Sequence, residues 1–222
     1  MKKTFARKLG AFVILMMCML FAAAPAQTWA ASNTYTTSKV TKTQKKKAYA
    51  AYKKLLSKSQ IKVDKWYSVK SSDVYFNIGY INNDKMPDLF VFYGAGARNY
   101  ANAMIYTYKN GKVKKIGTTG GDFLGYYKKT MVCQTTSRSD AYGNVGTYYE
   151  KANGKSNKGD LLKYTSLIKK GAEYKVGVGN YSYSKISKSS FNAKLRSLTK
   201  GKKLTRVKML NNTAANRDAI LK

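Results

Sequence analysis

Histidine is absent from the 222 residues, and ten acidic side chains stand against 42 lysines and arginines. Without imidazole the chain lacks the usual neutral-pH base, so Ser-His-Asp catalysis and histidine-dependent zinc sites are excluded. Cysteine is almost as scarce: Cys18 lies in the N-terminal apolar run and Cys133 is the other. Once the leader is removed no intramolecular disulfide is possible, which fits a bacterial surface protein better than a small secreted eukaryotic domain. Cys133 falls in the strand-like run 130–135 and has no base to activate it, so a buried structural thiol is expected. Long apolar runs are missing after residue 24, so no later segment is expected to span a bilayer as a helix.

The leader itself is well marked. Lys2, Lys3, Arg7 and Lys8 precede the nearly all-apolar stretch Leu9 to Ala24, and Ala24-Pro25-Ala26 offers small residues to a signal peptidase. This is the pattern of a secretory signal peptide, with cleavage expected after Ala26 and, as second choice, after Ala30. The apolar stretch is shorter than the ~20 residues that an uncleaved anchor needs. Met17 before Cys18 is not the small residue a lipoprotein signal requires. The expected division is 1–26 signal peptide, 27–42 exposed linker and 43–222 one domain, long enough for a proper core.

Removing the leader takes four of the 32 excess positive charges and leaves 28. Such a chain attracts polyanions. Outside a cell these are teichoic acids, anionic lipid headgroups, nucleic acid and acidic glycans. Lysine far outnumbers arginine, which favours diffuse attraction over the bidentate geometry of specific phosphate or base recognition.

Patterning along the remainder predicts an α+β fold, an antiparallel β meander with an N-terminal docking helix and C-terminal helices. Thr41 and Gln44 have capping-box spacing, and Ala48, Tyr49, Tyr52, Leu55 and Leu56 recur at helical steps. Their stripe is expected to dock on a sheet, leaving a basic face outward that includes Lys45, Lys46, Lys53 and Lys54. Trp66 is placed in the core or lining a groove, and with those four lysines forms a candidate ligand-binding set. Two strands flank a polar loop in Val74 to Tyr93, Asn110-Gly111 marks a type I′ hairpin turn, and strands continue to about residue 186. Ser189 is expected to cap a helix that ends at Gly201, followed by a strand at 203–210 and a helix at 213–221.

The loop at 80–88 carries oxygens at alternate positions, as calcium loops do. Laid on the pattern D-x-N-x-D-G-x-x-D it offers Tyr80, Asn82, Asp84, the Met86 carbonyl and Asp88. Tyr80 replaces the first carboxylate, and Lys85 replaces the glycine of the sharp turn. If the left-handed conformation is kept, lysine costs about 1 kcal/mol relative to glycine. Calcium binding through Asn82, Asp84, Met86 and Asp88 is accordingly expected to be weak or absent, and no cofactor is expected. The competing expectation is a structural turn in which Asn82 and Asp84 accept backbone N–H bonds.

The run YINNDKMPDLFVFY, preceded by AYKKLL and followed by IYTYKNGKVKKIG and GYY, resembles a broad group of exported proteins of Gram-positive, often gut-dwelling bacteria. Their loop reads like DINNDGIPELLV before a Y-x-Y-x-x-G-K-V hairpin. The resemblance covers roughly residues 45–130 and assigns Asn82, Asp84 and Asp88 to the group's loop, with Tyr80 and Lys85 departing from it. It implies export and no particular activity.

Three function classes follow. The first is a non-enzymatic envelope or extracellular protein, secreted or at the cell surface of a Gram-positive bacterium. It would be monomeric and held by its basic surface to anionic wall polymer or a membrane surface. The second is a cell-wall glycan-acting enzyme with a carboxylate pair drawn from Asp84, Asp88, Asp122, Asp140, Glu150 and Glu173. The third is a nonspecific nucleic-acid binder stacking bases on tyrosines, without sequence preference.

Overall fold

Fifteen residues, Lys42–Leu56, form helix α1 of the computed structural model, which describes residues 40–94, 101–139, 144–151, 165–170, 173–178 and 183–222. The signal-peptide expectation, nearly all of the linker and the candidate acid Asp140 lie outside the described residues. The capping box is present: the Thr41 hydroxyl accepts from Gln44 N at 3.1 Å and Gln44 Oε1 accepts from Thr41 N at 2.8 Å. Two N–H groups that the first helical turn leaves orphaned are thereby satisfied. Ala48, Tyr52 and Leu56, four residues apart, are the buried stripe.

After α1 come a small hairpin, β1 (Gln60–Lys62) and β2 (Ser68–Lys70), and a short 3-10 turn. Then follow β3 (Tyr75–Gly79), β4 (Asp88–Tyr93), β5 (Asn102–Lys109), β6 (Lys112–Thr118), β7 (Asp122–Tyr127), β8 (Val132–Ser139), β9 (Asn144–Lys151), β10 (Thr165–Lys170), β11 (Glu173–Val178) and β12 (Tyr183–Lys185). Helix α2 (Lys188–Thr199), β13 (Leu204–Thr205), β14 (Leu210–Asn211) and helix α3 (Ala214–Ile220) complete the chain. All strand pairs among the described residues are antiparallel, and the α+β class read from the pattern is the fold observed. Asn110 and Gly111 both have positive φ, 52° and 76°, as a type I′ turn between β5 and β6 requires.

The meander is divided between two sheets. Sheet 1 has the order β14-β3-β4-β5-β6, and sheet 2 has β12-β11-β10-β9-β8-β7-β13. The chain leaves one for the other between β6 and β7, where Thr119 N donates to Ala103 O and Phe123 N to Ala101 O, both at 2.9 Å. Strand β4, reading DLFVFY, explains the division. Leu89 and Val91 pack with the α1 stripe, Phe76 and Met104, whereas Phe90 and Phe92 pack with Phe123, Tyr126 and Cys133. A strand apolar without interruption from Leu89 to Phe92 is covered on both faces, here by α1 on one side and by β7 and β8 on the other.

Close approach of the sheets depends on Gly79. A Cβ there would lie 2.7 Å from the Tyr126 hydroxyl and 2.8 Å from the Phe90 ring, which packed side chains do not tolerate.

Two expectations are corrected at the C-terminal end. The cap of α2 is Ser187, whose hydroxyl accepts from Ser190 N at 3.1 Å, because the extended backbone that a cap needs occurs there and not at Ser189. The strand expected at 203–210 is instead two short pairings on different sheets, β13 with β7 and β14 with β3. This segment passes from the edge of sheet 2 to the edge of sheet 1, supplying backbone partners to both. No helix among the described residues is long and apolar enough to cross a membrane.

Candidate functional site

Between β3 and β4 the loop at 80–87 leads into Asp88, which is fully buried at the first position of β4. Its Oδ2 accepts from Ile81 N at 2.9 Å, and its Oδ1 accepts from Asn82 Nδ2 at 3.0 Å. Asn82 Nδ2 also lies 2.9 Å from Asp84 Oδ2 and 3.3 Å from Thr107 Oγ1. The amide nitrogen therefore stands among three oxygens, sharing two N–H donors between them. Two further bonds fold the loop: Asn82 Oδ1 accepts from Asp84 N at 3.0 Å and Asp84 Oδ1 from Met86 N at 2.9 Å. These are the side-chain-to-backbone bonds of the structural-turn expectation. Lys85 has φ 61°, so the left-handed position is kept with lysine in it.

The electrostatics of the pair are unusual. Burial, with the nearby Asp84 charge adding to it, raises the Asp88 carboxyl to about 7 against the opposing hydrogen bonds from Ile81, Thr107 and Asn82. Asp84 is raised too, mainly by burial. The Tyr52 hydroxyl is pushed far up by burial and by Asp88, and it donates to Pro87 O at 2.8 Å.

The loop is also tied to sheet 2. Lys129 N donates to Tyr80 O at 3.1 Å, Met131 N to Ile81 O at 2.9 Å, and Tyr80 N to the Tyr126 hydroxyl at 3.0 Å. Tyr52 brings α1, Thr107 brings β5, and Lys129 and Met131 bring the β7–β8 turn to one short segment. The structure makes the loop a joint among the layers.

Asn82, Asp84 and Asp88 thus converge, a point that the sequence pattern leaves open. Two carboxylates, the Asn82 side chain and Thr107 are the oxygen donors near at hand for a hard cation. Within the joint the Asn82 amide already occupies the space between the carboxylates. No group of three or more His, Cys, Asp or Glu side chains suited to a metal occurs among the described residues. Sequence reasoning did not reach Tyr52 and Thr107, because they lie 35 residues from Pro87 and 25 from Asn82 respectively.

The remaining candidates scatter. Glu150, on β9, is buried in sheet 2 with Oε2 accepting from Gly120 N at 3.1 Å and Oε1 from the Thr135 hydroxyl at 3.3 Å, and burial raises its carboxyl. Glu173 is paired with Lys175 and Lys185, whose hydrogen bonds lower it to about 2. Asp84 and Asp88 are a carboxylate pair of the candidate pool that the fold brings together, both bonded to Asn82 Nδ2. Cys133 is buried, and burial followed by the Glu150 charge pushes its thiol well up, away from nucleophilic reactivity.

Trp66 is 86% exposed, at the end of the β1–β2 hairpin, so the expectation of a core position is overturned. Asp64 takes the N–H groups that shape this turn, and the apolar anchors of the hairpin are Ile61, Val63 and Val69 instead. The Trp66 ring has Lys65 Nζ 4.6 Å from its centroid. Of the four helix lysines grouped with it, Lys46 and Lys54 are exposed, Lys45 and Lys53 are half-buried, and Lys53 is paired with Asp218 at 2.9 Å.

Compared with models of protein families, with curated proteins and with solved structures, the chain matches none of them.

Proposed function

We propose that this is an exported, non-enzymatic protein of the Gram-positive envelope or its surroundings that associates with anionic polymer such as teichoic acid through a basic surface. The observation that carries this reading is where the acidic side chains are spent. Asp84 and Glu150 are half-buried and buried, Asp88 is fully buried, and Asp64 is taken up by the N–H groups of its own turn. Asp218 pairs with Lys53, and Glu173 with Lys175 and Lys185. Exposed lysines meanwhile cover separate regions: Lys46, Lys54 and Lys58 along and after α1, Lys112 and Lys114 on β6, and Lys194 and Lys200 on and after α2.

Scarce surface carboxylate leaves these ammonium groups to external anions. Each lysine near an anionic lipid surface contributes on the order of 1 kcal/mol, and wall polymer in physiological salt gives less per contact. The association is therefore collective and sensitive to salt.

Retention on purified walls tests it. Protein bound at low ionic strength should elute at about 0.5 M salt, where screening is short-ranged, and walls stripped of teichoic acid should retain much less. Retention unaffected by salt or by stripping would refute an electrostatic association.

A further inference from the structure

We propose that the tip of the β1–β2 hairpin, Trp66 with Tyr67, enters the headgroup layer of an anionic lipid bilayer. Trp66 at 86% and Tyr67 at 52% are the exposed large apolar side chains among the described residues, and they are adjacent. A lone exposed aromatic is ordinary, but an adjacent pair on a constrained turn is a contact surface in search of cover.

The turn holds its shape without a partner. Asp64 Oδ1 accepts from Trp66 N at 2.7 Å and Tyr67 N at 2.8 Å. Val63 N and Asp64 N both donate to Tyr67 O, at 2.9 and 3.2 Å, and Lys115 Nζ donates to Val63 O. Beneath the tip Ile61, Val63 and Val69 are buried in the core shared with α1. The aromatic pair is thus presented on a closed and anchored backbone, so little ordering remains to oppose its binding.

Charge around the tip selects the partner. Lys62 and Lys70 lie on the outward side of the two strands, with Ile61 and Val69 inward, and Lys65 lies beside the indole. Asp64 is the one acid in residues 60–72, and its carboxylate is engaged by the turn. Indole and phenol rings favour the boundary between headgroups and acyl chains, and lysines reach from there to phosphate. A sugar-stacking site would be expected to recess its ring and set polar side chains at the edges of the ligand. Here the indole projects, and the nearby carboxylate faces backbone. The inference adds a lipid contact to the function proposed above and shares with it the export of the chain.

The test uses the chain from Gln27 onward, free of the apolar leader, carrying Trp29→Phe, which leaves Trp66 as the sole tryptophan. Vesicles containing phosphatidylglycerol should shift its emission to the blue, and lipids brominated near the glycerol should quench it. Vesicles of phosphatidylcholine alone should do much less. In the native chain, Trp66→Ala should lower partition onto the anionic vesicles about tenfold, equivalent to about 1.4 kcal/mol, with circular dichroism unchanged because the ring is outside the core. Replacing Lys62, Lys65 and Lys70 by Gln should lower it further.

An unmoved emission spectrum, or a Trp66→Ala variant that partitions like the native chain, overturns the proposal. So does a Trp66→Ala loss confined to teichoic acid with vesicle emission unchanged, which would make the tip a reader of wall polymer. A blue shift together with absent wall retention would uphold the lipid contact while removing the polymer reading.

Discussion

Raising the pH from about 4 to about 7 should weaken this fold, with Asp88 the main cause. Its carboxyl has an ordinary value of 3.8 and is raised to about 7 in the folded chain by burial and by Asp84. Below 3.8 both folded and unfolded chains hold the proton, so the stabilisation is fully present. Between 3.8 and about 7 the unfolded chain has released it while the folded chain keeps it, and each pH unit costs about 1.4 kcal/mol. Over this window of about three units the loss is on the order of 4 kcal/mol, a large share of the 5–15 kcal/mol that domains usually possess. Above about 7 both states are ionised and the curve levels.

Asp84 and Glu150 are raised by burial and add slope of the same sign. The exposed acids Asp64, Glu173 and Asp218 are lowered by their hydrogen-bonded partners; their stabilisation is lost as pH falls through the acid range. The interval from about 5 to about 7 therefore reports the buried carboxyls. Urea unfolding at a series of pH values measures it. At an m-value of about 2 kcal/mol/M the midpoint should fall by about 2 M across the window. Asp88→Asn should remove most of the dependence. Parallel profiles for the two proteins, or a native chain that gains stability from pH 5 to 7, would refute the reasoning.

Two other substitutions probe the joint and the layers. Lys85→Gly should stabilise the chain by about 1 kcal/mol, since φ 61° costs lysine and not glycine; an unchanged or lowered urea midpoint would show that Lys85 makes a compensating contribution. Phe90→Ala should cost about 3–5 kcal/mol, because its ring is fully buried and lies 5.0–6.3 Å from the rings of Tyr126, Phe123 and Phe92. A thermal midpoint within a few degrees of native would mean that the sheets do not depend on this side chain.

Local structure was readable where a few neighbouring residues decide it. The capping box needs Thr41 and Gln44 alone, the type I′ turn needs Asn110 and Gly111, and the bonds from Asp84 N to Asn82 and from Met86 N to Asp84 are made within the loop itself. The helix stripe was equally plain, since its spacing follows from the period of the helix. Trp66 was misplaced because aromatic residues usually indicate burial, and the Asp64 turn that holds it outward is a matter of three-dimensional shape. Ser187 was missed as a cap because three serines within four residues are chemically equivalent until the backbone selects one.

The order of residues alone set the charge excess, the lack of imidazole, the strands and helices, and the sites of the tight turns, because these depend on composition and on contacts a few residues apart. Tertiary structure decided that the meander splits around β4, that Tyr52, Thr107 and the β7–β8 turn close on the loop at 80–88, and that Asp84, Asp88 and Glu150 are withdrawn from the surface. Each of those outcomes depends on groups far apart in the chain meeting in space, where burial and local dielectric fix their ionisation and pairing.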